Sequence, residues 1–291
     1  MTAAVVSGGD WRQIVHRLRA DSRSVIAVGV LLTVVIVTLI GPMLSAYRPY
    51  EQLDIANLMH AAPSSAHLLG TDAYSRDVLS RVMSGGRVSL AVAASAVFIE
   101  VLVGVVWGLA AGLAGGHTDT VLMRIVDAGM SVPRVLLLLA LLAATPQMPV
   151  WLLVVMLGVT GWFGIARLVR GEVRNIRGAD FVVAARALGV APVRLARRHL
   201  LPHVLGPVLV SATLAIGNVI VLEAGLSWLG IGVQPPQASW GNIIRDGKEF
   251  ITVAPWVSIA PGLCLVIVVL AVSALGDGLR DALAPRQLPR T

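Results

Sequence analysis

Residues Phe181 to Pro202 read F-V-V-A-A-R-A-L-G-V-A-P-V-R-L-A-R-R-H-L-L-P. This segment is basic and rich in alanine, and it separates two hydrophobic stretches that are each long enough to cross a bilayer. Loops without a binding partner usually shrink to a few residues, so a loop that keeps a helical segment and a cluster of arginines is expected to have a function. The segment therefore predicts a short helix, on one side of a membrane, that binds another protein.

The composition places the rest of the chain in a membrane. Of the 291 residues, 56% are hydrophobic and only 13% are charged, and the mean hydropathy is +0.82. One soluble core could not bury that much apolar surface. Because a crossing needs about 20 apolar residues, the sequence predicts an all-α, polytopic membrane protein with about six transmembrane helices. Their expected ranges are Val25 to Leu44, Val88 to Ala114, Val121 to Thr145, Val150 to Val169, Leu205 to Ile231 and Trp256 to Leu275.

The basic residues predict the orientation of these spans. If the N-terminus lies inside, 17 of the 23 Lys and Arg residues fall on the inner side, eight of them from Arg167 to Arg198. Cytoplasmic loops carry the excess of Lys and Arg, so we expect a multi-pass protein of the cell membrane with both termini in the cytoplasm. The net charge of +7 then reports topology and attraction to the lipid bilayer, and we expect no nucleic-acid partner.

The third predicted span is unusual because its first half carries charges. Arg124, Asp127 and Arg134 lie there together with Pro133. Charged side chains inside a membrane are costly unless protein or the interface surrounds them. We therefore expect a short hydrocarbon-spanning part and a charged start that packs on protein or lies at the interface.

Two acidic residues lie within apolar runs, Glu100 in the second span and Glu223 in the fifth. Burying either one as a charge costs at least a few kcal/mol, so each is a candidate functional residue. The alternative is structural: each acid is protonated, held by a neighbouring hydroxyl such as Ser227, or near the outer interface. The sequence leaves both interpretations open.

Two outer segments carry polar motifs. Asp72, Arg76 and Asp77 lie in a loop of about 40 residues, just before a helical stretch, and predict a helix cap with a surface ion pair. A second segment has paired prolines followed by an amphipathic turn that contains Trp240. We interpret these four residues as candidate contacts for an extracytoplasmic protein.

Gly104, Gly108 and Gly112 recur at four-residue spacing and so lie on one face of the second span. Small residues at this spacing let two helices approach closely. The pattern fits packing within the chain and packing against a partner subunit equally well.

Motifs of catalysis are absent from the sequence. It has no G-x-x-x-x-G-K-[ST] loop, nucleophile elbow or H-E-x-x-H. Cys264 is the single cysteine and makes neither an intramolecular disulfide nor a metal motif. We therefore expect no ATP hydrolysis, no catalytic residue and no metal site in this chain.

The inner segment also matches a known signature in its spacing. Ala184, Ala185, Gly189, Leu201 and Pro202 fall at the positions expected from E-A-A-x3-G-x9-I-x-L-P. This signature is typical of the integral membrane permeases of binding-protein-dependent ABC importers, which this chain resembles.

Three further motifs resemble one branch of that family, the C-type permeases for dipeptides, oligopeptides and nickel. Leu69 to Arg81 reads L-G-T-D-A-Y-S-R-D-V-L-S-R, similar to the branch's outer F-G-T-D-x-x-G-R-D segment. Glu223 to Gly241 is similar to E-A-S-L-S-F-L-G-L-G-V-Q-P-P-x-x-S-W-G, and Leu275 to Arg286 to the C-terminal tail. The resemblance covers most of the chain and implies the type I ABC importer permease fold.

The chain departs from the signature at two positions. Val183 stands where the family has glutamate, and His199 stands where the general form has isoleucine. In the family the glutamate sits on a coupling helix that enters a groove on the ATPase. An apolar contact through Val183 is one replacement, and Asp180, one turn earlier, is another.

The resemblance implies a division of the chain and a set of functional residues. The parts are a cytoplasmic N-terminal segment (1–24), the first transmembrane helix and extracytoplasmic loop (25–87), a permease core (88–283) with a coupling helix at 180–202, and a cytoplasmic tail (284–291). Gly189 is expected to cap the coupling helix, and Pro202 to re-aim the chain into the fifth span. The implied ATPase contacts are Asp180, Val183, Ala184, Ala185, Arg186, Leu188, Gly189, Leu201 and Pro202. The candidate residues of the translocation pathway are Glu100, Glu223 and Ser227.

The partners implied by the resemblance are a second, B-type permease, two ABC ATPase subunits and an extracytoplasmic substrate-binding protein. ATP and Mg belong to the ATPases, and no cofactor is expected in this chain. The implied role is a translocation path for di- or oligopeptides, with nickel, glutathione or another small solute as alternative cargo. A proton-coupled secondary transporter that uses Glu100 and Glu223, and a structural scaffold, are the alternatives from other classes.

Overall fold

The computed structural model describes residues 11–145 and 149–283, which are almost entirely helical and contain no strand. The predicted all-α class is confirmed. The first part of the chain forms α1 (Trp11–Ala20), α2 (Ser22–Leu44), α3 (Ile55–Leu58), α4 (Val78–Ala114), α5 (Gly116–Ser131) and α6 (Arg134–Ala143). The second part forms α7 (Val150–Gly161), α8 (Phe163–Ile176), α9 (Asp180–Ala187), α10 (Pro192–Leu195), α11 (Leu201–Trp228), α12 (Trp240–Gly247) and α13 (Trp256–Leu283). The predicted tail at 284–291 and residues 1–10 of the N-terminal segment lie outside the described residues.

Six segments of the described chain are long and apolar enough to cross a membrane when each bent helix pair counts as one span. Four are unbroken: α2, α4, the run Pro192–Trp228, and α13. The other two are the bent pairs α5 with α6 and α7 with α8. Each segment corresponds to one predicted span, so the expected number is confirmed.

The prediction of a continuous third span from Val121 to Thr145 is wrong, because α5 and α6 meet at 78°. Val132 precedes Pro133 and is extended, with φ −96° and ψ 127°, as expected for a residue whose helical conformation clashes with a following proline ring. The fourth span bends by 40° between α7 and α8. The expectation that the charged start of the third span packs on protein is confirmed for Arg134, which pairs with the buried Glu100. Arg124 and Asp127 are exposed, and Asp127 forms an exposed ion pair with Arg167.

The expectation that Pro202 re-aims the chain is also wrong. A π-helical turn, Ala196–Leu200, joins α10 to α11, and the helix continues through Pro202 as one 37-residue run. Pro202 is the second residue of α11 and lies just after this π-helical turn, so its missing backbone N–H falls where the hydrogen-bond pattern of the helix changes. The Leu201 N–H donates to the Ala196 carbonyl, five residues earlier, which is the hydrogen bond of a π-helix.

The glycine face of α4 packs within the chain, against α8. A Cβ at Gly104 would lie 2.7 Å from Ile165, one at Gly108 would lie 2.6 Å from the Ala166 carbonyl oxygen, and one at Gly112 would lie 2.6 Å from Val173. Only glycine allows this approach, which settles the alternative between internal packing and a partner subunit.

Three apolar clusters hold the described bundle; one is formed around Val126 and Trp162, and the other two bear on the site. The larger one joins α4, α6, α7, α11, α12 and α13, with Trp240, Ile220 and Leu157 among its fully buried side chains. The smaller one joins α8, α9, α10 and the start of α11. Arg17 of α1 donates to the Ala282 carbonyl at the end of α13, at 2.8 Å, so both ends of the described chain lie on one side of the bundle. We call that side, which also carries α9, the inner side.

Candidate functional site

The helix α9 is anchored to the bundle by one apolar face. Val182 and Ala185 are buried, and they pack in the smaller cluster with residues of α8 and of the run that begins at Pro192. The Phe181 ring stacks on His203 of α11 with centroids 5.3 Å apart and an interplanar angle of 17°. α9 therefore shares its packing with both α8 and α11.

The end of α9 has the geometry of a Schellman motif. Gly189 is in the left-handed region with φ +75°. The Gly189 N–H donates to the Arg186 carbonyl at 2.9 Å, and the Val190 N–H donates to the Ala185 carbonyl at 3.1 Å. The predicted glycine cap is confirmed, because a side chain in this conformation is strained.

The opposite face of α9 is open to solvent. Val183 is 53% exposed and Leu188 is 84% exposed, and Asp180, Ala184 and Arg186 are exposed as well. Apolar side chains this exposed, next to charged ones, are typical of a surface that another protein covers.

The structure divides the predicted ATPase contacts into two groups. Asp180, Val183, Ala184, Arg186 and Leu188 share the exposed face. The prediction of a direct contact is wrong for Ala185 in this conformation, because its side chain is buried in the smaller cluster. Of the other predicted contacts, Gly189 and Pro202 are exposed and Leu201 is half-buried.

Glu223 is fully buried and held by serines. Its two carboxyl oxygens accept from Ser227 Oγ at 2.7 Å and from Ser89 Oγ at 2.9 Å. Each hydroxyl also accepts a backbone N–H from the outer segment: Val233 donates to Ser227 at 3.0 Å and Trp240 to Ser89 at 3.2 Å. This network is structural, since it ties α4 and α11 to the start of α12. Glu223 and Ser227 therefore do not line an open pathway in this conformation.

Glu100 is paired with Arg134 of α6 and is also buried. Arg134 further donates to the Leu157 carbonyl at 2.7 Å. Glu100 is therefore not an open pathway residue in this conformation either.

A buried charge cluster lies beneath the outer face. Asp72 accepts from Arg76 Nε at 2.8 Å and from Arg81, and Asp246 of α12 accepts from Arg81 Nη2 at 3.0 Å. Burial raises the pKa of the Asp72 and Asp246 carboxyls, and the charge of Arg81 opposes that shift. Asp77 caps α4 by accepting from the Ser80 N–H at 2.8 Å. The predicted cap is confirmed, whereas the predicted surface ion pair is buried.

The burial also corrects the predicted contacts to an extracytoplasmic protein. Asp72 and Asp77 are 2% and 3% exposed, and Trp240 is fully buried with its indole N–H donating to the Val82 carbonyl at 3.0 Å. These three side chains cannot reach a partner in this conformation. They form the framework on which the outer surface rests, together with the partly exposed Arg76.

Replacing Asp72 by asparagine is expected to lower the free energy of unfolding by about 3 kcal/mol, because Arg81 and Arg76 keep their charges but lose the carboxylate that they share and retain only Asp246. The apparent Tm in detergent should fall by about 5–10 °C. Asp54→Asn is the matched control in the same loop: Asp54 is exposed and caps α3, and asparagine caps equally well. Equal Tm values for the two variants would contradict the assignment of Asp72 to a stabilising cluster.

The sequence did not reveal two members of these networks. Arg81 and Asp246 are 165 residues apart in the chain, and no local pattern links them. Arg134 is visible in the sequence as a charge inside a span, but no local pattern pairs it with Glu100. Opposite charges within two neighbouring spans are the signal that would have suggested this pairing.

Comparisons with known proteins agree with the geometry. A family model described as "Binding-protein-dependent transport system inner membrane component" matches residues 104–288. A second, described as "N-terminal TM domain of oligopeptide transport permease C", matches residues 10–63. Together the two models account for both the first span and the core of the bundle.

Similar proteins align over most of this chain. The oligopeptide transport system permease protein OppC of Bacillus subtilis (strain 168) is 34% identical over 278 residues, covering 95% of this chain and 90% of that protein. The dipeptide transport system permease protein DppC of the same organism is 37% identical, covering 95% of this chain and 84% of that protein. A putative peptide permease protein of Brucella suis biovar 1 (strain 1330) is 41% identical, covering 82% and 80%.

Among solved structures, a chain of the MetNI methionine ABC transporter in an inward-facing conformation superposes with a TM-score of 0.57. It is 22% identical, and the match covers 70% of this chain and 96% of that one. The two chains therefore share a fold. By the family match and by these relatives, the chain belongs to the family of binding-protein-dependent transport system inner membrane components.

Proposed function

We propose that this chain is a permease subunit of an ATP-driven ABC importer and that it forms, with a second, B-type permease, the path for di- or oligopeptides. A substrate-binding protein delivers the peptide from outside, and two ATPase subunits supply the energy. The observation that carries the proposal is α9, a capped helix with one face buried in the bundle and the other exposed. The relatives named for oligopeptide and dipeptide transport support peptides as the cargo.

The exposed face of α9 would contact the ATPase. Val183 takes the place of the family's glutamate and offers an apolar contact. Leu188, at the end of the helix, adds a second exposed apolar side chain to this contact surface. Asp180 lies one turn before Val183 and supplies an acidic group on the same face. Val182 and Ala185 would then carry the movement of the ATPase into α8 and α11. An ATPase drives such movement by binding the two permease orientations with different affinity.

The orientation of the bundle in the membrane follows from the proposed contact with the ATPases, because these subunits use cytoplasmic ATP. If α9 meets the ATPases, the inner side of the bundle faces the cytoplasm, and both termini lie there, in agreement with the distribution of arginines. ATP and Mg would be bound by the ATPase subunits, and this chain would be non-catalytic.

The charges inside the spans favour the importer over a proton-coupled transporter. Glu100 is paired with Arg134, and Glu223 accepts from two serine hydroxyls. Acids that carry protons must alternate between access to the two sides of the membrane. These two are instead engaged in contacts that join helices.

The proposal is tested by co-expressing the chain with candidate B-type permease, ATPase and binding-protein subunits from the same organism. The complex is purified in mild detergent and reconstituted into liposomes that contain ATP. We expect two ATPases and a second permease to co-purify, and labelled dipeptide or oligopeptide uptake to require both ATP and the binding protein. Uptake of Ni²⁺ or glutathione in place of peptide would correct the cargo, whereas uptake driven by a pH gradient without ATPases would overturn the proposal.

A further inference from the structure

The Glu100–Arg134 pair lies where two spans are broken. Arg134 begins α6, directly after the break at Val132 and Pro133. Its guanidinium contacts Glu100 of α4, and it donates to the Leu157 carbonyl of α7, about one turn before the bend between α7 and α8. One side chain therefore joins three helices at the level of both bends.

Gly161 makes room for this pair at the second bend. A Cβ at Gly161 would lie 1.9 Å from Glu100 Oε1 and 2.6 Å from Arg134 Nη2. The carboxylate and the guanidinium thus occupy the space that a side chain would take at the last residue of α7. Thr160 adds a contact at 3.4 Å from its hydroxyl to Arg134 Nε.

The bend at this pair is connected to α9 through α8 and the smaller cluster. From Phe163 onward α8 presents Ile165, Val169 and Val173 to the cluster that anchors α9. α8 thus lies between the cluster that anchors α9 and the bend, where it meets α7. The pair is the polar contact that joins this bend to the start of α6.

We propose that Glu100 and Arg134 are positioning residues that transmit the movement of α8 to α6, so that the two bent spans move together during transport. This inference rests on the proposed function. A buried charge pair suits the role because it holds its geometry: either partner alone is an uncompensated charge in the membrane, so the two groups stay together as the helices move. Coupling between distant parts of a protein needs such a physical link.

A purely structural role of the pair predicts a different result from a positioning role. One variant that carries two substitutions distinguishes these two roles. Removing one charge alone risks misfolding, whereas replacing both members of a buried pair by apolar residues of similar size is often neutral or stabilising. The test variant is therefore the double substitution Glu100→Leu and Arg134→Met. It is compared with the wild-type complex for assembly, thermal stability, ATPase rate and uptake.

We expect the double variant to assemble with the ATPases and to hydrolyse ATP within about threefold of wild type, but to lose uptake by about tenfold or more. Uptake and the stimulation of ATP hydrolysis by the loaded binding protein should fall together. Wild-type uptake by the double variant would overturn the inference. Co-purification of wild type with its ATPases is measured first, so that failure of the proposed function is recognised separately.

Gly161→Ala is an independent variant that keeps both charges but pushes them apart. Its matched control is Gly164→Ala, three residues later in α8, where a Cβ meets nothing within 4 Å. We expect Gly161→Ala to reduce uptake per assembled complex by about tenfold, and Gly164→Ala to leave it unchanged. Equal uptake by the two variants would also contradict a positioning role for the pair.

Discussion

Replacing Ala184 by arginine is expected to lower ATP-driven uptake by about a hundredfold, while the membrane bundle still folds. Ala184 is exposed on α9 beside Val183, on the face proposed to enter the ATPase. A long charged side chain there would lose its water in the proposed interface, at a large desolvation cost. The measurements are co-purification of the ATPases and uptake of labelled peptide into liposomes.

The position of this variant follows from the structure, since the signature contains two adjacent alanines. Arginine at Ala185 would enter the smaller cluster and unfold the hairpin, so loss of uptake there would say nothing about docking. Ala20→Arg is the matched control, because Ala20 is exposed at the end of α1 and the substitution adds the same charge to the inner side. Full uptake by Ala184→Arg would remove α9 from the ATPase interface.

Replacing Gly108 by valine is expected to prevent the bundle from forming, with at least a tenfold loss of folded protein recovered from membranes. A Cβ at Gly108 would lie 2.6 Å from the Ala166 carbonyl oxygen and 2.7 Å from the Val169 Cβ. Backbone atoms cannot rotate away, so α4 and α8 would have to separate along their whole contact. Size-exclusion chromatography after mild solubilisation gives the folded fraction.

Gly171→Val provides the control for helix propensity, because Gly171 lies in α8 and a Cβ there meets nothing within 4 Å. Valine is a better helix former than glycine, so we expect this variant to be recovered at the wild-type level. A normal yield of Gly108→Val would show that the helices tolerate a wider separation than the structure allows. It would also mean that the glycine face of α4 could pack against a partner subunit after all.

The elements that follow local rules were predictable from the sequence. Hydropathy gave the six spans because a helix must satisfy its own backbone in lipid, and each span therefore shows as a long apolar run. The cap at Gly189 was predictable because only glycine adopts φ +75° without strain. Asp77 as a helix cap was predictable for a similar reason, since the capping side chain and the N–H it accepts are three residues apart.

The predictions that failed concern how a span is shaped and which side chains are buried. Pro133 breaks the third span by 78°, whereas Pro202 lies in the first turn of a helix that runs on. Both are prolines near a predicted helix, and the surrounding packing decides which one bends the chain. Asp72 and Trp240 have residue types of an outer surface, yet Asp72 is enclosed by Arg76 and Arg81, and Trp240 packs against α4, so both are buried.

The sequence by itself determined the class of the protein: an all-α membrane chain of six spans, with a capped inner helix that matches a permease signature. Only the tertiary structure decided the partners of the charges within it. Glu100 meets Arg134 across 34 residues, Ser89 meets Glu223 across 134, and Arg81 meets Asp246 across 165. Periodicity and local motifs report what a residue does within its own helix, whereas these contacts depend on how the helices pack together in space.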